Sequence, residues 1–196
     1  MADHLKYLAR SVELAQIALK RGDVPIGAIL VNSEGRILCE AQNTIFSEHG
    51  LAYHAEAKML FSNQKILRRN SKGLFLYSSL EPCIMCLSIA LVSHLECIAW
   101  ALNDYWAGGT RSLNFDSNYL KTKRHILIPP ISSSLQAKSA SLLSSFYSIK
   151  DPEKLKLILS SRHENTFSPS SMKICYKRRT RLTQRLFLIW CHEPDQ

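Results

Sequence analysis

Two short clusters hold residue types that can do chemistry together: His54-Ala55-Glu56 and Pro82-Cys83-Ile84-Met85-Cys86. One imidazole and two thiolates spaced C-x-x-C supply three ligands for Zn²⁺, and three protein ligands leave a fourth position for water. At the start of a helix Cys83 and Cys86 lie one turn apart, so both sulfurs can face one ion. The positive end of the helix also favours thiolate over thiol. Zinc bound there lowers the pKa of its water to about 7. Glu56, two residues from His54, can reach that water without ligating the metal, take its proton and return it to a substrate nitrogen. Each cluster alone is weak, since a C-x-x-C pair is also a redox pair or half a zinc site, and H-x-E is common. Together and in this order they are specific. A structural zinc site would want a fourth protein ligand. His49, His94 and Cys97 are the nearest candidates, with His94 better read as a surface or packed histidine and Cys97 as a small core residue.

The elements around these clusters must position them. Apolar residues recur near helical spacing from Leu5 to Leu19, which predicts an amphipathic helix over residues 3–21, stopped at Gly22-Asp23. Gly27 to Val31 and Arg36 to Glu40 read as a hairpin whose turn ends at Gly35, and residues 42–53 as a surface loop. A second helix is expected from His54 to Phe61, a buried strand from Leu74 to Tyr77, and a third helix from Cys83 to Val92. A strand over Cys97 to Ala101, a loop from Asp104 to Ser117, a short strand from His125 to Ile128 and a helix from about Ser134 to Ser148 complete the order. That order implies a sheet with helices on both faces.

At 196 residues one domain is the default, and the chain is long enough to bury a core without disulfides. With 46 % hydrophobic and 21 % charged residues, a mostly disordered chain is excluded. No apolar run reaches the roughly 18 to 20 residues of a membrane span. No secretory pattern is visible, so the expectation is a cytoplasmic protein with reduced cysteines. The net charge of +9 and pI near 9.4 suit a polyanionic partner such as nucleic acid. Almost half of that excess falls after Ser160, where Lys173 to Arg185 with Tyr176 interleaved reads either as a track for RNA phosphates or as solvated surface. The apolar stretch from Leu186 to Trp190 would dock onto the domain or a partner.

H-x-E followed by P-C-x-x-C is the pattern of zinc nucleobase deaminases. With it stand Gly22 to Val31, Asn43, Leu80 to Cys86, Gly108-Gly109, Ser112-Leu113 and Phe146-Tyr147. On these residues the chain resembles the cytidine and deoxycytidylate deaminase superfamily, most of all its bacterial tRNA adenosine deaminases, over about residues 3–150. The resemblance implies a three-layer α/β/α fold around a five-stranded mixed sheet, usually in a homodimer. It implies one Zn²⁺ per chain on His54, Cys83 and Cys86, and Glu56 as the acid/base. Asn43 would contact the target base or its ribose, the Cys83 N–H would help hold the hydroxide, and the backbone near Ala28 and Ala55 would line the pocket. Residues 1–158 then form the deaminase domain and 159–196 a basic tail.

The implied reaction is adenosine to inosine at the wobble position of tRNA. A deaminase of a free base, nucleoside or nucleotide of the guanine, cytidine or deoxycytidylate type shares the motif, and a non-catalytic zinc-fold subunit would have no need of Glu56. The chain departs from the tRNA-type pattern at Tyr53, in the aromatic segment Ala101 to Trp106, and in Ser148 to Lys154, where a basic helix end is usual. Tyr105 and Trp106 either stack on a base or serve packing or a subunit contact.

Overall fold

The computed structural model describes residues 2–69, 73–113, 118 and 125–160. The basic segment and the apolar stretch expected after Ser160 lie outside the described residues. Five strands form one sheet in the order β2-β1-β3-β4-β5. Strands β1 (Gly27–Asn32) and β2 (Ile37–Gln42) make the expected antiparallel hairpin, and β1 also pairs antiparallel with β3 (Leu74–Ser78). From β3 onward the pairing is parallel, to β4 (Cys97–Trp100) and β5 (Ile126–Ile128). This mixed five-stranded α/β architecture is the one the family resemblance implied.

Alternation along the central strands separates two cores, because successive side chains of a strand point to opposite faces. Ala28, Leu30, Leu74, Leu76, Ile98 and Trp100 face one side. There they meet α2 (Ala55–Ser62) and α4 (Ile84–Val92) through Met59, Leu60, Leu87 and Leu91. Ile29, Val31, Phe75, Tyr77, Cys97 and Ala99 face the other side. They pack on Tyr7, Leu8, Val12 and Leu14 of α1 (Ala2–Arg21) and, at the margin, on Leu135 and Leu142 of α6 (Ser133–Lys150). Gly27 lets β1 lie this close to α1, since a Cβ there would stand 2.4 Å from the Ser11 carbonyl oxygen and 2.5 Å from the Leu14 Cβ.

Among the described residues, three helical segments were not expected. α3 (Gln64–Arg69) follows α2 after one turn residue, and its only buried residue is Leu67. A stretch so short and polar carries no readable period. α5 (Gly109–Ser112) is a single turn inside the segment read as a loop. α7 (Pro152–Leu159) replaces what looked like an irregular departure after Tyr147. Its start has a physical signal: the Asp151 carboxylate accepts the Lys154 N–H at 3.0 Å, and Pro152 occupies the first turn, where a missing N–H costs nothing. α7 packs on α6 through a third cluster of Val24, Leu80, Leu143, Phe146, Tyr147 and Ile158. No helix among the described residues is long and apolar enough to cross a membrane.

Candidate active site

His54 and Cys83 are the residues immediately before α2 and α4, both with extended backbone (φ −65°, ψ 147° and φ −62°, ψ 169°). Each side chain therefore projects from a helix start, and each helix begins one residue later than the sequence reading, which included His54 and Cys83. Cys86 follows one turn into α4 and is buried. The ligand atoms of His54, Cys83 and Cys86 all lie within 4.8 Å of one another, and the His54 Nδ1 is 3.6 Å from the Cys83 Sγ. Among the described residues no fourth His, Cys, Asp or Glu joins this group. Cys97 is buried on the α1 face of the sheet, while His94 and His49 occupy left-handed turns (φ 59° and 54°). Three closely grouped N and S donors with no fourth protein ligand suit a catalytic rather than a closed structural zinc.

The electrostatics agree. Hydrogen bonding from Cys86, with the His54 imidazole beside it, holds Cys83 well below the usual thiol range, whereas the same hydrogen bond and burial push Cys86 upward. One contact thus favours the thiolate at Cys83 and the protonated thiol at Cys86. The contact with Cys83 raises His54 against the opposing effect of burial. A divalent cation held by the three would displace those protons, because zinc ligands bind deprotonated.

Glu56 lies in the first turn of α2, buried, and lines a cavity of about 560 Å³ together with His54, Cys83 and Asn43. Burial raises its carboxyl above the usual range. The Ser78 hydroxyl donates to Glu56 Oε1 at 2.9 Å and fixes that oxygen. Ser78, the last residue of β3, was not singled out in the sequence. Its only signal is a small polar residue closing an apolar strand. Glu81, the next carboxylate along the chain, also lines the cavity, but its oxygens are engaged. Oε1 accepts the Thr110 N–H and hydroxyl, and Oε2 accepts the Asp104 N–H at 3.1 Å. Gly108 packs against that carboxyl so closely that a Cβ would stand 2.5 Å from Cδ.

The side walls come from loops and from the α6–α7 corner. Asn43 is fully buried and lines the cavity. Its Oδ1 accepts the Ile45 N–H at 3.1 Å, and its Nδ2 has no partner among the described residues. Asp104 is also buried in the lining, accepting the N–H groups of Trp106 and Ala107 at 2.9 and 3.0 Å. Trp106 (52 % exposed) and Phe46 (49 % exposed) stand at the rim. Tyr105 does not line the cavity, and the Arg111 guanidinium lies 5.0 Å over its ring. Ala28 and Ala55 are buried in the core on the α2/α4 side and do not line the cavity either. Lys150 and Lys154, unmarked in the sequence, do. They reach the cavity because Asp151 ends α6 and begins α7 there.

Residues 1–101 match the family described as the cytidine and deoxycytidylate deaminase zinc-binding region. A tRNA-specific adenosine deaminase of Aquifex aeolicus is 36 % identical over 110 residues, covering 55 % of this chain and 71 % of the relative. One of Bacillus subtilis is 30 % identical over 143 residues, covering 72 % and 86 %. A solved structure from work on A-to-I editing by tRNA:A34 deaminases superposes with a TM-score of 0.59 at 22 % identity, covering 71 % of this chain and 99 % of that one. A guanine deaminase from Nitrosomonas europaea gives 0.58 at 18 %, covering 72 % and 83 %. Both structures share the fold. The matched region carries all three metal-ligand candidates and Glu56, and the chain belongs to the cytidine and deoxycytidylate deaminase zinc-binding family of enzymes.

Proposed function

We propose that this protein hydrolytically deaminates adenosine to inosine in tRNA, at the wobble position. The observation that carries the substrate class is the charge pattern of the cavity. Its inner lining holds the carboxyl groups of Glu56, Glu81 and Asp104. Its rim holds two lysines over aromatic rings. Lys150 Nζ lies 4.5 Å from the Phe46 ring centre and 4.4 Å from that of Phe146, and Lys154 Nζ lies 4.3 Å from Trp106 and 5.1 Å from Tyr147. A neutral base enters such a depth, while the backbone phosphates to either side stay at a cationic, aromatic rim. The tRNA-specific relatives support the choice of RNA and of adenosine.

A zinc ion on His54, Cys83 and Cys86 would supply hydroxide at neutral pH. Glu56 takes the proton of the attacking water and delivers it to the ring nitrogen as the new C–O bond forms at C6. It then takes the remaining proton from the hydroxyl now on C6 and carries it to the amino group, so that the C–N bond breaks, ammonia leaves and the C6 carbonyl forms. Ser78 keeps the carboxylate oriented through the cycle. Asn43 Nδ2 offers a hydrogen bond to the base or its ribose. Residues 1–158 form the catalytic unit of a cytoplasmic homodimer in this reading. The exposed Ile84 and Val92 of α4 and Phe61 of α2 are apolar side chains available to a second copy.

The competing reading is a deaminase of a free base or nucleoside, since a cavity of about 560 Å³ also suits a small ligand. Ammonia release from a tRNA anticodon stem-loop, adenosine, guanine and cytosine separates the two. Release from the stem-loop with little from the free compounds is expected, and release from a free base alone overturns the tRNA reading.

A further inference from the structure

The side chain that fixes one cavity wall is not itself in the cavity. Asp23, on the turn between α1 and β1, is fully buried. Its Oδ1 accepts the N–H groups of Phe46 and Ser47, both at 2.9 Å. Its Oδ2 accepts the Ser47 hydroxyl and the Arg21 Nε, both at 2.7 Å. The same Arg21 guanidinium donates through Nη2 to the Asn43 carbonyl at 2.8 Å. The Asn43 N–H in turn donates to the Ile26 carbonyl at 2.9 Å. Asp23 and Arg21 thus bind both ends of the segment 43–47, which presents the unpartnered Asn43 Nδ2 and the Phe46 ring to the cavity.

We infer that Asp23, locked by Arg21, is a positioning residue for substrate binding: it sets where the Asn43 amide and the Phe46 ring meet the base. Four donors converge on one buried carboxylate, an expensive arrangement for a surface loop that needed only to be closed. Neither residue hydrogen-bonds to His54, Cys83, Cys86 or Glu56, so the metal-ligand candidates and the acid/base stay in place when the segment shifts. The signature is therefore a binding defect without a chemical one. The inference rests on Asn43 meeting the substrate, as the proposed function has it.

The test uses the zinc-loaded full chain and whichever of the anticodon stem-loop, adenosine, guanine or cytosine the wild type deaminates. Asp23→Asn keeps the side-chain shape but loses the charge that holds Arg21. Arg21→Gln leaves the buried carboxylate untouched and serves if Asp23→Asn does not fold. Either is expected to raise KM about tenfold with kcat within about threefold and zinc content unchanged. Added to Asn43→Ala, either is expected to raise KM little further, because both act through one amide. A fall in kcat at unchanged KM, or full additivity with Asn43→Ala, overturns the inference. Release from a free base but not from RNA overturns the tRNA reading and leaves this inference scored on that base. Release from none of them overturns both.

Discussion

At the metal end of the cavity, His54 and Cys83 are each the residue before a helix, and Cys86 and Glu56 follow within the first turn of α4 and α2. At the side walls, Asn43, Phe46, Asp104 and Trp106 lie outside helices and strands, and the backbones of Phe46 and Asp104 are held by carboxylates from elsewhere in the chain, Asp23 and Glu81. The metal end is thus placed by local backbone geometry on helices that are themselves packed against the sheet. The walls are placed by contacts between Asp23 and the segment 43–47, and between Glu81 and the segment 104–110, which are 23 to 29 residues apart in sequence. Damage at the metal end should therefore abolish chemistry outright, while damage at the walls should change what binds and how tightly.

The sharpest way to break that contrast is Cys86→Ala. Zinc content measured on the purified protein should fall well below one per chain, and activity with it. Full occupancy would mean the ion is held by other groups. Glu56→Gln comes next. It should keep fold, zinc and most substrate binding while turnover drops by at least ~10² at equal zinc content, because an amide cannot shuttle a proton. Near-normal turnover in the zinc-loaded variant would remove Glu56 from the mechanism.

The wall predictions are smaller. Asp23 is held at about 2, below its ordinary 3.8: its bonds to Ser47, Phe46 and Arg21 overcome the opposing effect of burial. A carboxylate depressed in the folded state stabilises it above the unfolded pKa, and that stability fades as pH falls through the folded one. The wild type should therefore lose about 2 kcal/mol between roughly pH 5 and pH 1 on this account. Asp23→Asn should lack that component, which denaturant titrations across the acid range would reveal. Identical acid profiles would show that the carboxylate does not carry the wall. Smallest are Lys150→Ala and Lys154→Ala. Each should weaken stem-loop binding a few-fold and lower the salt slope by about one if it contacts one phosphate. An unchanged slope in both would take the phosphates away from this rim.

The three metal-ligand candidates and Glu56 were legible because their chemistry is encoded in short spacings that survive any tertiary arrangement. The order of helices and strands was legible too, because apolar runs such as Leu74 to Tyr77 are bounded by turn residues such as Gly73 and Pro82. α7 was missed although Asp151-Pro152 is a good helix start, because its eight residues carry one buried side chain, Ile158. Ser78 was missed because a serine at a strand end says nothing until Glu56 is folded over it.

What the sequence determined by itself was the candidate reactive set and the order of helices and strands around it, since both follow from local spacing and from apolar runs bounded by turn residues. What only the tertiary structure decided was the company those residues keep. Asp23 and Glu81 look alike in sequence as acidic residues beside a proline-containing turn, and neither reveals its partners. Folding brings four donors onto the first and Thr110 with Asp104 onto the second, and it folds α7 back so that Lys150 and Lys154 meet Phe46 and Trp106. Hydrogen bonds and cation–π contacts of that kind depend on distances between segments far apart in the chain, which chain closure fixes and no local pattern encodes.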